Sequence, residues 1–185
     1  KQIQAVLFPD SEMLVLPFHR RVQDREERSF EEILSELKKI APLTHQSDVE
    51  QARPQPGQVG IYIEGSWYTM ELPASAGTRV VDSLDVSRLQ NGILDPVFDI
   101  KDPGSDPIIS YVPEPVGIKA LESQCDSSNA VGFILHPTSI DELMAVADAG
   151  ERMPPKSSYF EPKPRSGVFV RRLDRESGWI TPVTS

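Results

Sequence analysis

Apolar positions along the chain fall into several distinct rhythms. From Phe30 to Ile40 the apolar residues Phe30, Ile33, Leu34, Leu37 and Ile40 recur at helical spacing. Ser29 and Glu32 stand ahead of them as an S-x-x-E capping box, Lys38 and Lys39 suit the last turn, and Pro42 ends the run. A second box, Ser139 and Glu142, opens a helix carrying Ile140, Leu143, Met144 and Val146, with Gly150 just past its end. Between these lie shorter stretches. Ala130–Leu135 (AVGFIL) is continuously apolar and reads as a buried strand. Val59–Glu64 and Trp67–Leu72 flank Gly65-Ser66 and predict a β-hairpin. Gln2–Phe8 and Met13–Phe18 flank Pro9-Asp10-Ser11 and predict another.

Weaker patterns fill the rest. Leu43–Val49, Ile108–Val112 and Gly167–Arg172 read as strands. Asp85 reads as the cap of a helix holding Val86, Leu89 and Ile93, and Pro115 suits the first turn of a helix reaching about Gln124. The expected class is therefore α+β, with a mixed or antiparallel sheet, two β-hairpins and about four helices. One domain over residues 1–185 is expected, with a sub-boundary near residues 73–84 as the alternative. The chain opens without Met directly on a strand-like run, which reads as the C-terminal half of a longer protein.

Composition narrows the function classes. With 185 residues, 38% hydrophobic and 25% charged, the chain has enough apolar surface for a substantial core. No apolar run approaches the roughly 20 residues that a membrane span needs, so no membrane partner is expected. A single cysteine, Cys125, excludes an internal disulfide and fits a reducing compartment; a cytoplasmic location is the expectation. The net charge of −9 argues against general nucleic-acid binding, which needs a wide cationic surface.

Against that acidic background, one segment inverts the sign. Residues 152–172 hold six Lys or Arg and one acidic residue, leaving −14 on the remainder. Within it, Lys156, Ser157, Ser158, Tyr159, Lys163 and Arg165 offer cations and hydroxyl donors, and Pro154, Pro155, Pro162 and Pro164 stiffen the loop. Such a segment suits a small anion, because phosphate oxygens accept charge-assisted hydrogen bonds from Lys and Arg. The plainer reading is a loop folded over the core, its cations paired with the acidic remainder. Arg20, beside His19 and Arg21 at the end of an expected strand, is an additional anion ligand. His19 and His136 are accessory candidates. For His136 the plainer role is a bond to a loop carbonyl; for the His19-Arg20-Arg21 run it is a surface turn paired with Asp24, Glu26 and Glu27. Of Trp67 and Tyr68, one is expected packed and one half-exposed. No metal-ligand spacing occurs, and the aspartates from Asp82 to Asp106 read as caps and turns. Cys125 has no nearby His and reads as inert.

Three stretches, taken in order, resemble a known family. They are LVLPFHRRV (14–22) with FEEILSEL close behind, LDVSRLQNGILDPVFDI (84–100), and AVGFILHPTSIDELMAVADAGERMPPKSSYFEPKPRSGVFVRRL (130–173). They are similar to the C-terminal part of the bacterial and archaeal domain of unknown function number ten-fifteen. Its members read "AdaGe-MPpKSTYFyPKl-sGLv" over the third stretch. Ser158 replaces the usual Thr and keeps the hydroxyl; Glu161 and Pro164 replace an aromatic and an aliphatic. Longer members carry an upstream DGHHR-type motif like that of the ParB/sulfiredoxin group, some of which handle nucleotides. That motif is missing here. The resemblance thus implies a site completed by an N-terminal half, with a nucleotide cofactor in the full-length protein and none in this fragment. It names no reaction, and this fragment alone is not expected to be catalytic. The two functional expectations are a wall of a small-anion site, for a nucleotide or phosphorylated metabolite, and a non-catalytic structural or interaction module that forms a homodimer or docks on a partner.

Overall fold

Alternation along three neighbouring strands sorts the apolar residues into two layers, one on each side of a six-stranded antiparallel sheet. The computed structural model describes residues 6–163 and Gly167. In chain order the elements are β1 (Leu14–Leu16), β2 (Phe18–Gln23), α1 (Phe30–Ile40), β3 (Leu43–Gln46), β4 (Gln58–Ile63) and β5 (Ser66–Glu71). Then follow α2 (Asp85–Leu89), a π turn over Gln90–Leu94, α3 (Asp95–Phe98), β6 (Ile109–Pro113), α4 (Ile118–Asp126), β7 (Ala130–Leu135), α5 (Ile140–Asp148) and β8 (Tyr159–Glu161). The large sheet runs β3-β5-β4-β7-β2-β6, and β1 pairs with β8 in a separate two-stranded ribbon. The class is α+β, as the sequence implies. No helix among the described residues is long and apolar enough to cross a membrane.

Val22, Val59, Ile61, Ile63, Val131, Phe133 and Leu135 point to one face, where Ile33 and Leu37 of α1 and the helical run 85–98 close a large core. The opposite face carries Tyr62, Trp67, Val112 and Ile134 under Ile118, Leu121 and Cys125 of α4. Central β7 is buried at all six positions, which explains its unbroken apolar run. Both capping boxes form: Ser29 with Glu32 and Ser139 with Glu142. Gly150 follows the end of α5 at φ 69°, the left-handed cap that glycine adopts without penalty. The hairpin β4–β5 turns at Glu64-Gly65.

Several expectations change. The first hairpin does not form as read: residues 6–9 are not strand, β1 pairs with β8, and β2 pairs with β6 and β7. Its earlier residues, 1–5, lie outside the described residues, as does the Gly167–Arg172 strand apart from Gly167. Buried Pro17 separates β1 from β2: it has no N–H for a ladder, and its carbonyl accepts from Glu114 N at 3.1 Å. His19-Arg20-Arg21 lies within β2, not at its end. Asp85 begins α2 but caps nothing; its carboxylate accepts from Gly57 N at 2.8 Å and from Arg88 at 3.1 Å. Pro115 sits in a single 3-10 turn, Glu114–Val116, ahead of α4.

Candidate functional site

Strand alternation sends His19 and Arg20 to opposite faces of the sheet. Arg20 stands opposite Phe133 and Tyr111, on the large-core face, whereas His19 stands opposite Val112, on the α4 face. Phe18, two residues before Arg20, shares its face. The β1–β8 ribbon then lays the proline-rich segment beside β2, with Leu16 opposite Tyr159.

Arg20 of β2 and two cations of this segment, Lys156 and Lys163, lie against aromatic rings. The Arg20 guanidinium lies 5.6 Å from the centre of the Tyr111 ring, and Lys156 Nζ lies 5.3 Å from that of Phe18. Lys163 Nζ sits over Tyr159. The three rings pack edge to face, Phe18 against Tyr111 at 6.5 Å and against Tyr159 at 5.8 Å. Among the described residues none of these three cations forms an ion pair with a carboxylate; every described Lys or Arg ion pair lies elsewhere. Their polar partners are carbonyls: Arg20 donates to Phe18 O at 2.5 Å and to Lys156 O at 3.3 Å, and Lys163 donates to Phe160 O at 3.3 Å.

Arg20 is only 3% exposed. Burial lowers its pKa to about 10, which still leaves it protonated at neutral pH. A buried cation that meets only neutral dipoles keeps its full charge, and desolvation costs it stability that an incoming anion can restore. Lys156 is exposed and adopts φ 55°, a left-handed conformation that non-glycine residues enter rarely. Ser157 is buried and donates to Pro154 O at 2.5 Å, so its hydroxyl proton is committed to the loop. Ser158 and Tyr159 are half-buried. Arg165 lies outside the described residues.

The accessory histidines belong to a different place. His19 and His136 line a cleft of about 270 Å³ on the other side of β2, with Arg53, Glu114 and the apolar residues Ile118 and Ile134. His19 Nε2 lies 2.5 Å from Glu114 Oε2, and Arg53 donates to Glu114 Oε1 at 3.3 Å. The hydrogen bond from His19, with the nearby charges of His19 and Arg53, holds the Glu114 carboxyl below its ordinary range despite partial burial. His136 Nδ1 meets Pro54 O at 3.2 Å, the loop-carbonyl contact expected of it. Among the described residues no cluster of three His, Cys, Asp or Glu is placed to hold a metal.

Other readings hold in detail. Trp67 is buried and donates to Glu122, and Tyr68 is half-buried against His45. Burial pushes the Cys125 thiol up to about 12, which keeps it an inert packing group. Asp82, Asp102 and Asp106 bind Arg79, Gly104 N and Arg25, as caps and turns do. Asp24 and Glu26 pair with Arg28 instead of the His19-Arg20-Arg21 run. Sequence reading passed over Phe18 and Tyr111. The i, i+2 spacing of Phe18 and Arg20 was enough to place those two together, but only strand pairing brings in Tyr111. Glu114 and Arg53 carried no local signal at all.

The family model described as "Protein of unknown function (DUF1015)" matches residues 1–87, a little under half of the chain. The matched residues include LVLPFHRRV and FEEILSEL but not the proline-rich segment. No curated protein matches the chain. Among solved structures the chain is similar to a free serine kinase in complex with AMP, at 14% identity and a TM-score of 0.49, over 80% of this chain and 54% of that one. It is also similar to a conserved hypothetical protein from Pyrococcus furiosus, at 14% identity and a TM-score of 0.48, over 82% of this chain and 57% of that one. The chain thus spans little more than half the length of these structures.

Proposed function

We propose that the face built by Arg20, Lys156 and Lys163 binds a small anion, a nucleotide or a phosphorylated metabolite. One observation carries this reading: three cations each lie over one of three mutually packed aromatic rings, with no carboxylate partner among the described residues. Phe18, Tyr111 and Tyr159 hold the cations in place, so little ordering is lost when an anion arrives. Ser158, Tyr159 and Arg165 complete the proposed ligand set, while Ser157 shapes the loop. Groups that perform chemistry on the ligand belong, in this reading, to another part of a longer protein.

A thermal-shift screen with sulfate, inorganic phosphate, AMP and phosphoserine tests it. An anion at a hundredfold excess over its Kd adds about 2.7 kcal/mol of stability, which appears as a rise of several degrees in Tm. The double change Lys156→Ala, Lys163→Ala is expected to abolish the rise and to leave the fold intact, because both side chains are exposed. Unchanged melting with every anion sinks the proposal.

The second reading, a structural or interaction module, draws on the bonds from Arg20 to Lys156 O and from Ser157 to Pro154 O, which tie the segment to the sheet. Under it Ser157→Ala, which removes one of these bonds, lowers Tm markedly without any anion present.

A further inference from the structure

Resting on that anion reading, we infer that the site recognises a phosphate monoester through its phosphoryl group and offers no stacking surface to a nucleobase. Aromatic rings beside cations could serve a nucleotide in either of two ways, by stacking the base or by positioning the charges that meet the phosphate. The ring faces decide between them. Each of the three rings already has a cation over one face: Arg20 over Tyr111, Lys156 over Phe18 and Lys163 over Tyr159. The edge-to-face contacts of Phe18 with Tyr111 and with Tyr159, at interplanar angles of 89° and 67°, take up further ring surface. A base stacking on the cation-bearing face of Phe18 or Tyr159 has to displace Lys156 or Lys163 from it. The displaced ammonium is the group meant to meet the phosphate, so stacking and phosphate binding compete for the same positions.

The charges agree with this division. A phosphate monoester carries about −1.5 to −2 at neutral pH. Two exposed ammonium groups and one buried, uncompensated guanidinium match it without help from the ester's organic part. Rings that carry cations on their faces act as a scaffold that fixes the ammonium groups by their quadrupoles. The organic part of the ligand then points away from the cluster and contributes little.

Titration calorimetry with inorganic phosphate, glycerol 3-phosphate, AMP and adenosine separates the possibilities. Glycerol 3-phosphate and AMP are expected to bind within about threefold of each other, and adenosine not to bind. A base stacked on a ring tightens binding by about fivefold or more. AMP favoured over glycerol 3-phosphate by that factor, or any binding of adenosine, overturns the inference while leaving the anion reading standing. Failure of all three phosphates to bind removes the anion reading itself, and this inference with it. The Tyr159→Leu variant gives an independent check. Loss of the ring under Lys163 is expected to weaken glycerol 3-phosphate and AMP equally, whereas a loss confined to AMP assigns the ring to the base and refutes the inference.

Discussion

Glu114 shows how one residue can report on a network that burial alone would not reveal. Its two oxygens face different partners, Oε2 towards His19 and Oε1 towards Arg53. A carboxylate only accepts, so His19 Nε2 carries the proton, and the buried Nδ1 has no partner among the described residues. An unmet buried polar atom costs about 1–3 kcal/mol, so the His19–Glu114 contact stabilises against a standing loss. The Glu114 carboxyl is held below its ordinary 4.5, first by the bond from His19. A depressed acid adds stability that is fully present above the unfolded value and is lost as pH falls through the folded value. Wild type is therefore expected to exceed Glu114→Gln in stability at neutral pH, by about 1 kcal/mol or less because the group is partly solvated. The gap closes as pH drops below 4.5. Urea unfolding of both proteins over a series of pH values checks this, and a gap independent of pH contradicts it.

At the scale of elements, the strand β4 positions the loop that carries Arg53. Gly60 lies on the α4 face, and a Cβ there would come 2.3 Å from the Ala52 carbonyl oxygen and 2.5 Å from the Ile134 side chain. The backbone of residue 52 is thus seated directly on the sheet, which only glycine at residue 60 allows. Gly60→Ala is expected to lower stability by about 1–3 kcal/mol through overpacking, read as a lower urea midpoint. An unchanged midpoint would mean that this loop packs elsewhere. The same elements show what local sequence can carry. The helices α1 and α5 were legible because a capping box and an apolar stripe act within a few residues. The strand β7 was legible because burial on both faces removes every polar residue from it. The pairing of β1 with β8 was not, because a three-residue strand with Pro17 at its end contains nothing that selects a partner so distant in sequence. The pairing of β1 with β8 is also what brings Tyr159 beside Phe18. The cationic residues were recognised from their composition, but their aromatic supports arrive through that ribbon and through β6.

For the whole molecule, the distribution of charge limits the partners. The total is −9, while residues 152–172 carry +5. Duplex DNA presents a phosphate for every few ångströms of its length, and binding grows with the number of phosphates that a protein neutralises at once. In the proposed site Arg20, Lys156 and Lys163 would meet one or two phosphates, while the net −14 outside residues 152–172 opposes a longer contact with a duplex. Within a Debye length, about 10 Å at 0.1 M salt, the local cations dominate; further out, the net negative charge does. A small dianion reaches the cations without meeting the repulsion that an extended polyanion meets along its length. The protein is therefore expected to leave the fluorescence anisotropy of a labelled DNA duplex unchanged at low salt, where electrostatic binding is strongest, while sulfate or a phosphate ester still raises its Tm. Duplex binding that weakens steeply with salt would show a cationic surface much wider than these three residues, and the small-anion site would then have to be redrawn as part of a nucleic-acid interface.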